Sequence, residues 1–283
     1  MNVDIICPLY NGTAYIDGLH DSLLEQKNVD LHEVHYVVTE TGDGIQEKLK
    51  EKKKCVFRTI SRKEFSHSLT REQEAFSCDG DIVVFITQDI RIQNDFWLHE
   101  LVKPIEEGKC SASFSRQTCS NHSIERYTRK FNYPEQSMIK SYSDLEKLGF
   151  YTYFFSDASS AVDRRVFLEL NGYDHKDLPS NEDTYFAYKL INAGHKIGYC
   201  ADSIVDHSHT FTLKQLYDRY YLTGEFFAME PALQKAKASS AGSSLARYIL
   251  KCAFQDHNAK AILGFVPNMA ARYLGMKAGQ RHG

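Results

Sequence analysis

Ile82-Val83-Val84-Phe85-Ile86-Thr87-Gln88-Asp89 is the stretch on which the reading of this chain turns. Six consecutive apolar or β-branched residues, Ile82 to Thr87, describe a strand buried on both faces, as in the interior of a parallel sheet. Such sheets bind ligands at the carboxyl ends of their strands, so Asp89 is delivered to the mouth of a cleft. A carboxylate there is placed to hold a hard divalent cation against the phosphates of a nucleotide. The same position also suits an Asp that starts a turn or caps the next helix.

The elements on either side alternate. Val3 to Cys7 predicts a strand, followed by the turn cluster Pro8-Leu-Tyr-Asn-Gly12 and a helix with Thr13 as cap and Ile16, Leu19, Leu23 and Leu24 on one face. Strands are expected at Val34–Thr39, Cys55–Ile60 and Cys110–Phe114. Helices are expected up to about Lys53, over Leu69–Ser77 and over Phe96–Ile105. This alternation predicts an α/β domain with a mostly parallel sheet. Residues 116 to 155 are aromatic and polar with little periodicity. Beyond them come an extended segment from Phe155 to Val162 and helices at Arg164–Leu170, from an Asn181 cap to Ala193, and at Leu213–Leu222. Short strands are expected at Lys196–Cys200 and Ser203–Asp206.

With 283 residues, 42% hydrophobic and 25% charged, the composition is that of a globular protein with a substantial core. No apolar stretch approaches the roughly 18 residues of a membrane span, and the N-terminus runs straight into a strand, so neither a span nor a signal peptide is expected. Seven cysteines without a Cys-x-x-Cys pair fit reduced thiols in a cytoplasmic protein. From Ala232 onward, eight Lys or Arg face one acid, Asp256, a balance of +7 that leaves −10 of the overall −3 to the preceding 231 residues. An acidic body with a basic tail suits a catalytic domain resting on an anionic surface and argues against a nucleic-acid partner. Leu245, Tyr248, Ile249 and Cys252 share a face opposite Arg247 and Lys251, so residues 231–283 read as a basic amphipathic helical tail. That tail serves either as a contact with the inner face of the membrane or as a dimerisation helix.

Several motifs occur in order: Phe65-Ser-His67 with Thr70-Arg71, Thr87-Gln88-Asp89, Arg116-Gln117, Asn132-Tyr-Pro134, Phe155-Ser156 with Ala158-Ser-Ser160, Asn181-Glu182-Asp183, and His207-Ser-His209. This ordered set resembles the family 2 glycosyltransferases, and within them the bacterial rhamnosyltransferases that build cell-surface polysaccharides such as capsule and O-antigen. The match spans about residues 3 to 227. The resemblance implies a GT-A nucleotide-diphospho-sugar transferase fold: an α/β domain at 1–230, with a nucleotide-binding half at 1–115, an acceptor-binding half at 116–230, and a C-terminal helical extension. It implies dTDP-L-rhamnose as donor, a saccharide or lipid-linked saccharide as acceptor, and Mg²⁺ or Mn²⁺ as cofactor. Galactosyl or N-acetylhexosaminyl transfer on the same fold, or a non-catalytic saccharide-binding module, are the alternatives.

Sugar transfer needs the leaving diphosphate neutralised, and a bound metal ion does that. Where GT-A enzymes usually carry Asp-x-Asp, Thr87 replaces the first acid and Asp89 remains. His207 and His209, alternate residues of an extended segment, would add nitrogen ligands that suit Mn²⁺ better than Mg²⁺; as ordinary residues they would hydrogen-bond a loop. An inverting transfer needs a base beside the acceptor hydroxyl. The resemblance assigns it to Asp183, with Glu182 orienting the acceptor and the two roles exchangeable. A carboxylate pair at a helix start is also what the helix dipole favours without catalysis. For the donor, Pro8, Tyr10 and Asn11 would wall the base and ribose, and Glu40 or Asp43 would accept hydrogen bonds. Arg71 would meet a phosphate, His67 and Gln88 would line the same pocket, and Arg116, Gln117 and Ser156–Ser160 the sugar site. Tyr127, Tyr133, Tyr151, Tyr153 and Phe154 offer stacking faces, though most such aromatics are ordinary packing. Arg219-Tyr-Tyr221 with Gly224 reads as a helix closing the cleft.

Overall fold

The computed structural model describes residues 1–238 and 242–282. The first half holds β1 (Asn2–Leu9), α1 (Ile16–Leu24), β2 (Asp30–Thr39), α2 (Ile45–Lys50), β3 (Cys55–Ile60), α3 (His67–Ser77), β4 (Ile82–Ile86), β5 (Arg91–Ile92) and α4 (Trp97–Glu106). It continues with β6 (Ala112–Thr118), α5 (Ile124–Asn132), β7 (Met138–Lys140), α6 (Leu145–Leu148), β8 (Ser159–Asp163), α7 (Arg164–Glu169), α8 (Glu182–Asn192) and β9 (Ile197–Asp206). The chain closes with α9 (Leu213–Met229), α10 (Pro231–Ala238), α11 (Gly242–Gln255) and α12 (Ala259–His282).

All described strands join one sheet in the order β3-β2-β1-β4-β8-β6-β9-β5, with β7 on β9. β1 to β4 pair in parallel, β8 runs antiparallel between β4 and β6, and β6 and β9 are again parallel. The ends of β1, β2, β4, β6 and β9 therefore open on one edge, the position at which such sheets bind ligands. β4 shows why its sequence is continuously apolar. Ile82, Val84 and Ile86 enter a core packed by α1, α2 and α4, while Val83 and Phe85 enter an aromatic core under α7 and α8. Each such side chain contributes about 1.5–3 kcal/mol by leaving water.

The expected elements are present with shifted ends, and some readings are corrected. Thr13 does not cap α1; it lies in a 3₁₀ turn and its hydroxyl donates to Asp43 Oδ2 at 2.7 Å. Asn181 precedes α8 with φ 59° and gives it no side-chain cap. The strands expected at 196–200 and 203–206 are one strand, β9, with a bulge where its register against β6 shifts. The irregular stretch at 116–155 contains α5 and β7. The helix at Leu213 runs on to Met229, because Gly224, Gly275 and Gly279 let α9 and α12 touch backbone to backbone; a Cβ at Gly279 would sit 1.9 Å from the Tyr221 carbonyl oxygen.

The tail is not free. Ile249 and Ala253 of α11, with Leu245 and Cys252 beside them, pack on Ile124 and Tyr127 of α5, so the amphipathic face expected to meet lipid is covered. Arg272 of α12 is buried in an ion pair with Glu125 and a hydrogen bond to Tyr220. Residues 239–241 and 283 of the expected tail lie outside the described residues. Among the described residues no helix is long and apolar enough to cross a membrane, and all seven cysteines are free thiols.

Candidate active site

Asp89 lies three residues past β4, in a turn closed by Ile90 N–H on the Thr87 carbonyl. His207 follows β9 directly, its N–H bound to the Thr118 carbonyl at 3.0 Å, and His209 is two residues on. The Nε2 atoms of the two histidines are 2.7 Å apart. That of His207 is 3.5 Å from Asp89 Oδ1 and that of His209 3.7 Å from Oδ2. His207 Nδ1 donates to Gln117 Oε1 at 3.0 Å, and the amide of Gln117 is fixed in turn on Ser156 Oγ. This sets the proton on Nδ1 and turns the Nε2 lone pair toward Asp89, the support given to a metal-binding imidazole. Burial lowers the pKa of both histidines, His209 to about 4, which keeps them neutral. Burial alone would raise Asp89, but a proton held between it and the imidazoles, donated by His207 Nε2, brings the carboxyl well below its usual range, and a divalent cation in that proton's place would act in the same direction. An ionised carboxylate and two neutral imidazoles are the protonation states a divalent cation requires.

A second group lies under the neighbouring strand ends. Arg71 of α3 is buried; its Nη1 donates to the His67 carbonyl at 2.8 Å and pairs with Glu182 Oε1 at 3.3 Å. Asp157, in the loop before β8, is buried and accepts from Tyr173 Oη and Ser160 Oγ, each at 2.7 Å. Asp183 is half-buried, with Oδ1 accepting from its neighbour's N–H at 2.6 Å. Three carboxylates thus share one guanidinium. Burial, then the charges of Glu182 and Asp157, push Asp183 up to about 8. Burial, with Glu182 adding and Arg71 opposing, puts Asp157 at about 6. The group titrates as a unit.

The two groups are neighbours. The buried Cys7 thiol at the end of β1 lies within electrostatic reach of both Arg71 and Asp89. Tyr133 feels both the Arg129 cation and Asp183. Arg219 acts on His67, His207 and His209. A groove of about 610 Å³ opens beside the triad, lined by Tyr15, Gln88, Asp89, Ser208 and His209 among others. A second concavity, of about 720 Å³ and lined by Asp79, Asp81 and Arg164, lies at the opposite end of the strands.

The residues expected to bind the donor fall out unevenly. Tyr10 and Asn11 are exposed at the strand edge and Pro8 is half-buried behind them. Gln88 spends its amide on the Tyr10 backbone, accepting at 2.9 Å and donating at 2.8 Å, so it fixes the β1 loop. Asp43 is held by Thr13, which leaves the exposed Glu40 as the available acid after β2. His67 projects from the first turn of α3 with a large exposed area, yet the surrounding cleft desolvates it enough to lower its pKa. Arg71 is spent on Glu182, which makes it a partner of the acids and not a free phosphate clamp. Arg116 pairs with Glu135 at 3.0 Å. Gln117, Ser159 and Ser160, expected at the sugar site, are buried and spend their side chains on internal partners; Ser159 shares a hydroxyl network with Ser115 and Trp97. The aromatics are packing: Tyr127, Tyr133 and Tyr153 are buried, while Tyr151 and Phe154 stack on each other beside the buried Lys140 ammonium. Sequence reasoning missed Asp157, the variable position of Phe155-Ser-x-Ala158. It also missed Arg129, whose Nη2 lies 3.4 Å from His207 Nδ1 and whose Nε is buried without a partner.

A mostly parallel sheet that gathers a carboxylate–imidazole triad and an acid group at its strand ends has GT-A architecture, and the family match makes the chain a glycosyltransferase. The chain belongs to glycosyl transferase family 2, which it matches over residues 4–170. It is 30% identical over 290 residues to the O-antigen chain rhamnosyltransferase RfbN of Salmonella typhimurium (strain LT2), covering 99% of this chain and 90% of that protein. S. aureus TarS (residues 1–349) in complex with UDP-GlcNAc superposes with a TM-score of 0.60 at 15% identity, over 99% of this chain and 90% of that one. The mannosyltransferase PcManGT from Pyrobaculum calidifontis, in complex with GDP-Man and Mn²⁺, gives 0.58 at 17% identity over 96% and 74%. At these identities the two structures bear on the fold alone.

Proposed function

We propose that the protein transfers L-rhamnose from dTDP-L-rhamnose to a saccharide or lipid-linked saccharide acceptor, with inversion and with help from a divalent cation. The observation that carries this is the convergence of Asp89, His207 and His209 beside the buried Asp157 and Glu182 and the half-buried Asp183. The rhamnosyltransferase named above supports the choice of sugar, and the Mn²⁺ and nucleotide sugar of the mannosyltransferase complex support the cofactor class. One carboxylate and two imidazoles fit Mn²⁺ better than Mg²⁺. When bound, the cation supplies charge to the departing diphosphate.

Asp183 takes the proton of the acceptor hydroxyl as its oxygen bonds to the anomeric carbon. The bond from that carbon to the diphosphate breaks, and its electron pair leaves with the nucleotide. A pKa near 8 makes Asp183 a stronger base than an ordinary carboxylate. Glu182, already paired with Arg71, serves better as a positioning residue. Arg129 and Arg219 add positive potential where the diphosphate would lie.

A panel of nucleotide sugars, assayed with and without Mn²⁺, tests the reading. Turnover of dTDP-L-rhamnose is expected; turnover of only a galactosyl or N-acetylhexosaminyl donor, or of none, refutes it. Asp183→Asn should keep donor binding and lose turnover, and Asp89→Ala should lose Mn²⁺-dependent nucleotide affinity. Full turnover by the first, or unchanged affinity in the second, removes that residue from the mechanism.

Peripheral contact with the inner membrane face is proposed through α12 rather than α11. Leu263, Val266, Tyr273 and Leu274 lie at helical spacing on one exposed face, with Lys260 and Lys277 toward its two ends. Co-sedimentation with anionic vesicles should weaken as salt rises and fall with Leu263→Glu. Loss of neither, with a stable dimer in solution, would assign that face to a second copy of the chain.

A further inference from the structure

A second cluster of ligating side chains sits at the opposite end of the strands from Asp89. Asp4 of β1, His35 of β2 and Cys78 just past α3 are all buried, with one donor atom of each within 4.8 Å of the others. His35 Nδ1 donates to Glu74 Oε1 at 3.0 Å, and Glu74 Oε2 accepts from Arg58 Nε at 2.7 Å. A carboxylate that fixes the far nitrogen of an imidazole is the outer-shell partner of a metal-bound histidine. The near nitrogen, Nε2, is buried without a hydrogen-bond partner, and the whole residue is only 6% exposed. It faces Glu33 Oε2 at 3.3 Å and Asp4 Oδ2 at 4.0 Å. A lone pair directed at two carboxylate oxygens repels them, so a cation belongs between.

We propose that Cys78 Sγ, His35 Nε2 and the Asp4 carboxylate bind Zn²⁺, with the half-buried Glu33 or a water as fourth ligand. A tetrahedral zinc with bonds of about 2.0–2.3 Å sets its donors roughly 3.3–3.8 Å apart, so the cluster, with donors up to 4.8 Å apart, needs to close by about 1–1.5 Å at most. The competing cation is a proton on His35, which the surrounding carboxylates favour against the opposing effect of burial. With a proton on His35 the Cys78 thiol stays protonated and bonds to Asp4, whereas zinc takes it as thiolate and releases its proton. Asp4 is held by four hydrogen bonds, Oδ1 accepting from His32 Nδ1 and the Glu33 N–H and Oδ2 from the N–H groups of Asp79 and Gly80, so a bond to the ion takes the place of one of them. Gly80 is required for that approach, since a Cβ there would lie 2.9 Å from the Asp4 carboxylate. Asp79 and Gly80 also line the concavity of about 720 Å³ at this end of the sheet. The site would tie β1, β2 and the α3–β4 connection together at the closed end of the sheet, independently of the transfer chemistry.

The reduced protein, stripped of metal, is titrated with Co²⁺ and then Zn²⁺. One equivalent of Co²⁺ should give a thiolate-to-cobalt charge-transfer band in the near ultraviolet that Zn²⁺ bleaches, with a rise in Tm. Cys78→Ser should abolish the band and His35→Gln should weaken zinc affinity at least 10-fold. Cys7→Ser and Asp89→Ala should leave the band intact. Circular dichroism of the metal-free variants separates a lost ligand from a lost fold, and either variant that folds decides the matter. No band, a band that survives Cys78→Ser, or zinc uptake lost only with Asp89→Ala overturns the proposal.

Discussion

Replacing Glu182 by Gln should move the acid limb of the transfer rate toward lower pH. Asp183 sits about four units above an ordinary aspartate, with burial the largest cause and the charges of Glu182 and Asp157 next. Gln leaves the burial and the shape unchanged and removes one of the two like charges. Removing one like charge beside a titrating carboxyl is worth on the order of one pH unit, about 1.4 kcal/mol, and the limb should fall by roughly that much. Arg71 adds to the effect, because the cation that now faces Glu182 turns its attraction on the remaining acids. The expected shift is therefore about 1–2 units, from an apparent value near 8. It is read from kcat/KM over roughly pH 5 to 9 at fixed saturating metal, since that ratio reports the free enzyme's base. Breaking a buried pair costs about 3–5 kcal/mol when a charge is stranded. Here the Gln carbonyl still accepts from Arg71 and Asp157 still balances it, so the loss in stability should fall below that range. An unmoved or alkaline-shifted limb, or the same limb in the residual activity of Asp183→Asn, would refute the assignment of the base.

Asp183→Asn should stabilise the protein at alkaline pH. A carboxyl raised to about 8 binds its proton more tightly in the folded state than in the unfolded one, so stability falls as pH climbs from about 4 to about 8. Asn escapes that loss; after allowance for the coupled acids, its advantage over the parent should be on the order of 2 kcal/mol at pH 9 and smaller at pH 6, measured by thermal denaturation. Gln117→Leu removes the acceptor that sets the His207 tautomer and should weaken Mn²⁺ binding about 10–100-fold in calorimetry while leaving the fold intact. Gly279→Leu drives a side chain into the Tyr221 carbonyl and should cost about 1–3 kcal/mol or release α12 to protease before the rest of the chain.

What the sequence made legible follows from which forces are local. The run Ile82–Thr87 reported burial on both faces because each face of β4 meets its own core, and the order of strand ends delivered Asp89 and the two histidines to one edge. Side-chain alternation also put His207 and His209 on the same side, as found. Spacing says nothing about which distant residue satisfies which. Arg71 looks like a phosphate ligand until Glu182, more than a hundred residues away, is seen beside it. Gln117 looks like a sugar contact until it is found behind His207. Asp157 has no local pattern at all, since its burial comes from β8 being inserted antiparallel between β4 and β6.

The tail shows the same limit in another form. An amphipathic helix reveals that one face must be covered but not by what, and α11 covers its face with α5 of the same chain. The glycines of α12 carried the missing information. Gly275 and Gly279 are spaced so that one helix side lacks Cβ atoms, and with Gly224 they permit a contact between α12 and α9 too close for any other residue. α9 carries Arg219 toward the histidines, so the tail braces the helix that brings a cation to the edge holding His207 and His209. On this reasoning Gly279→Leu should weaken nucleotide binding as well as stability. A variant that loses stability but binds nucleotide as the parent does would separate the tail from the site.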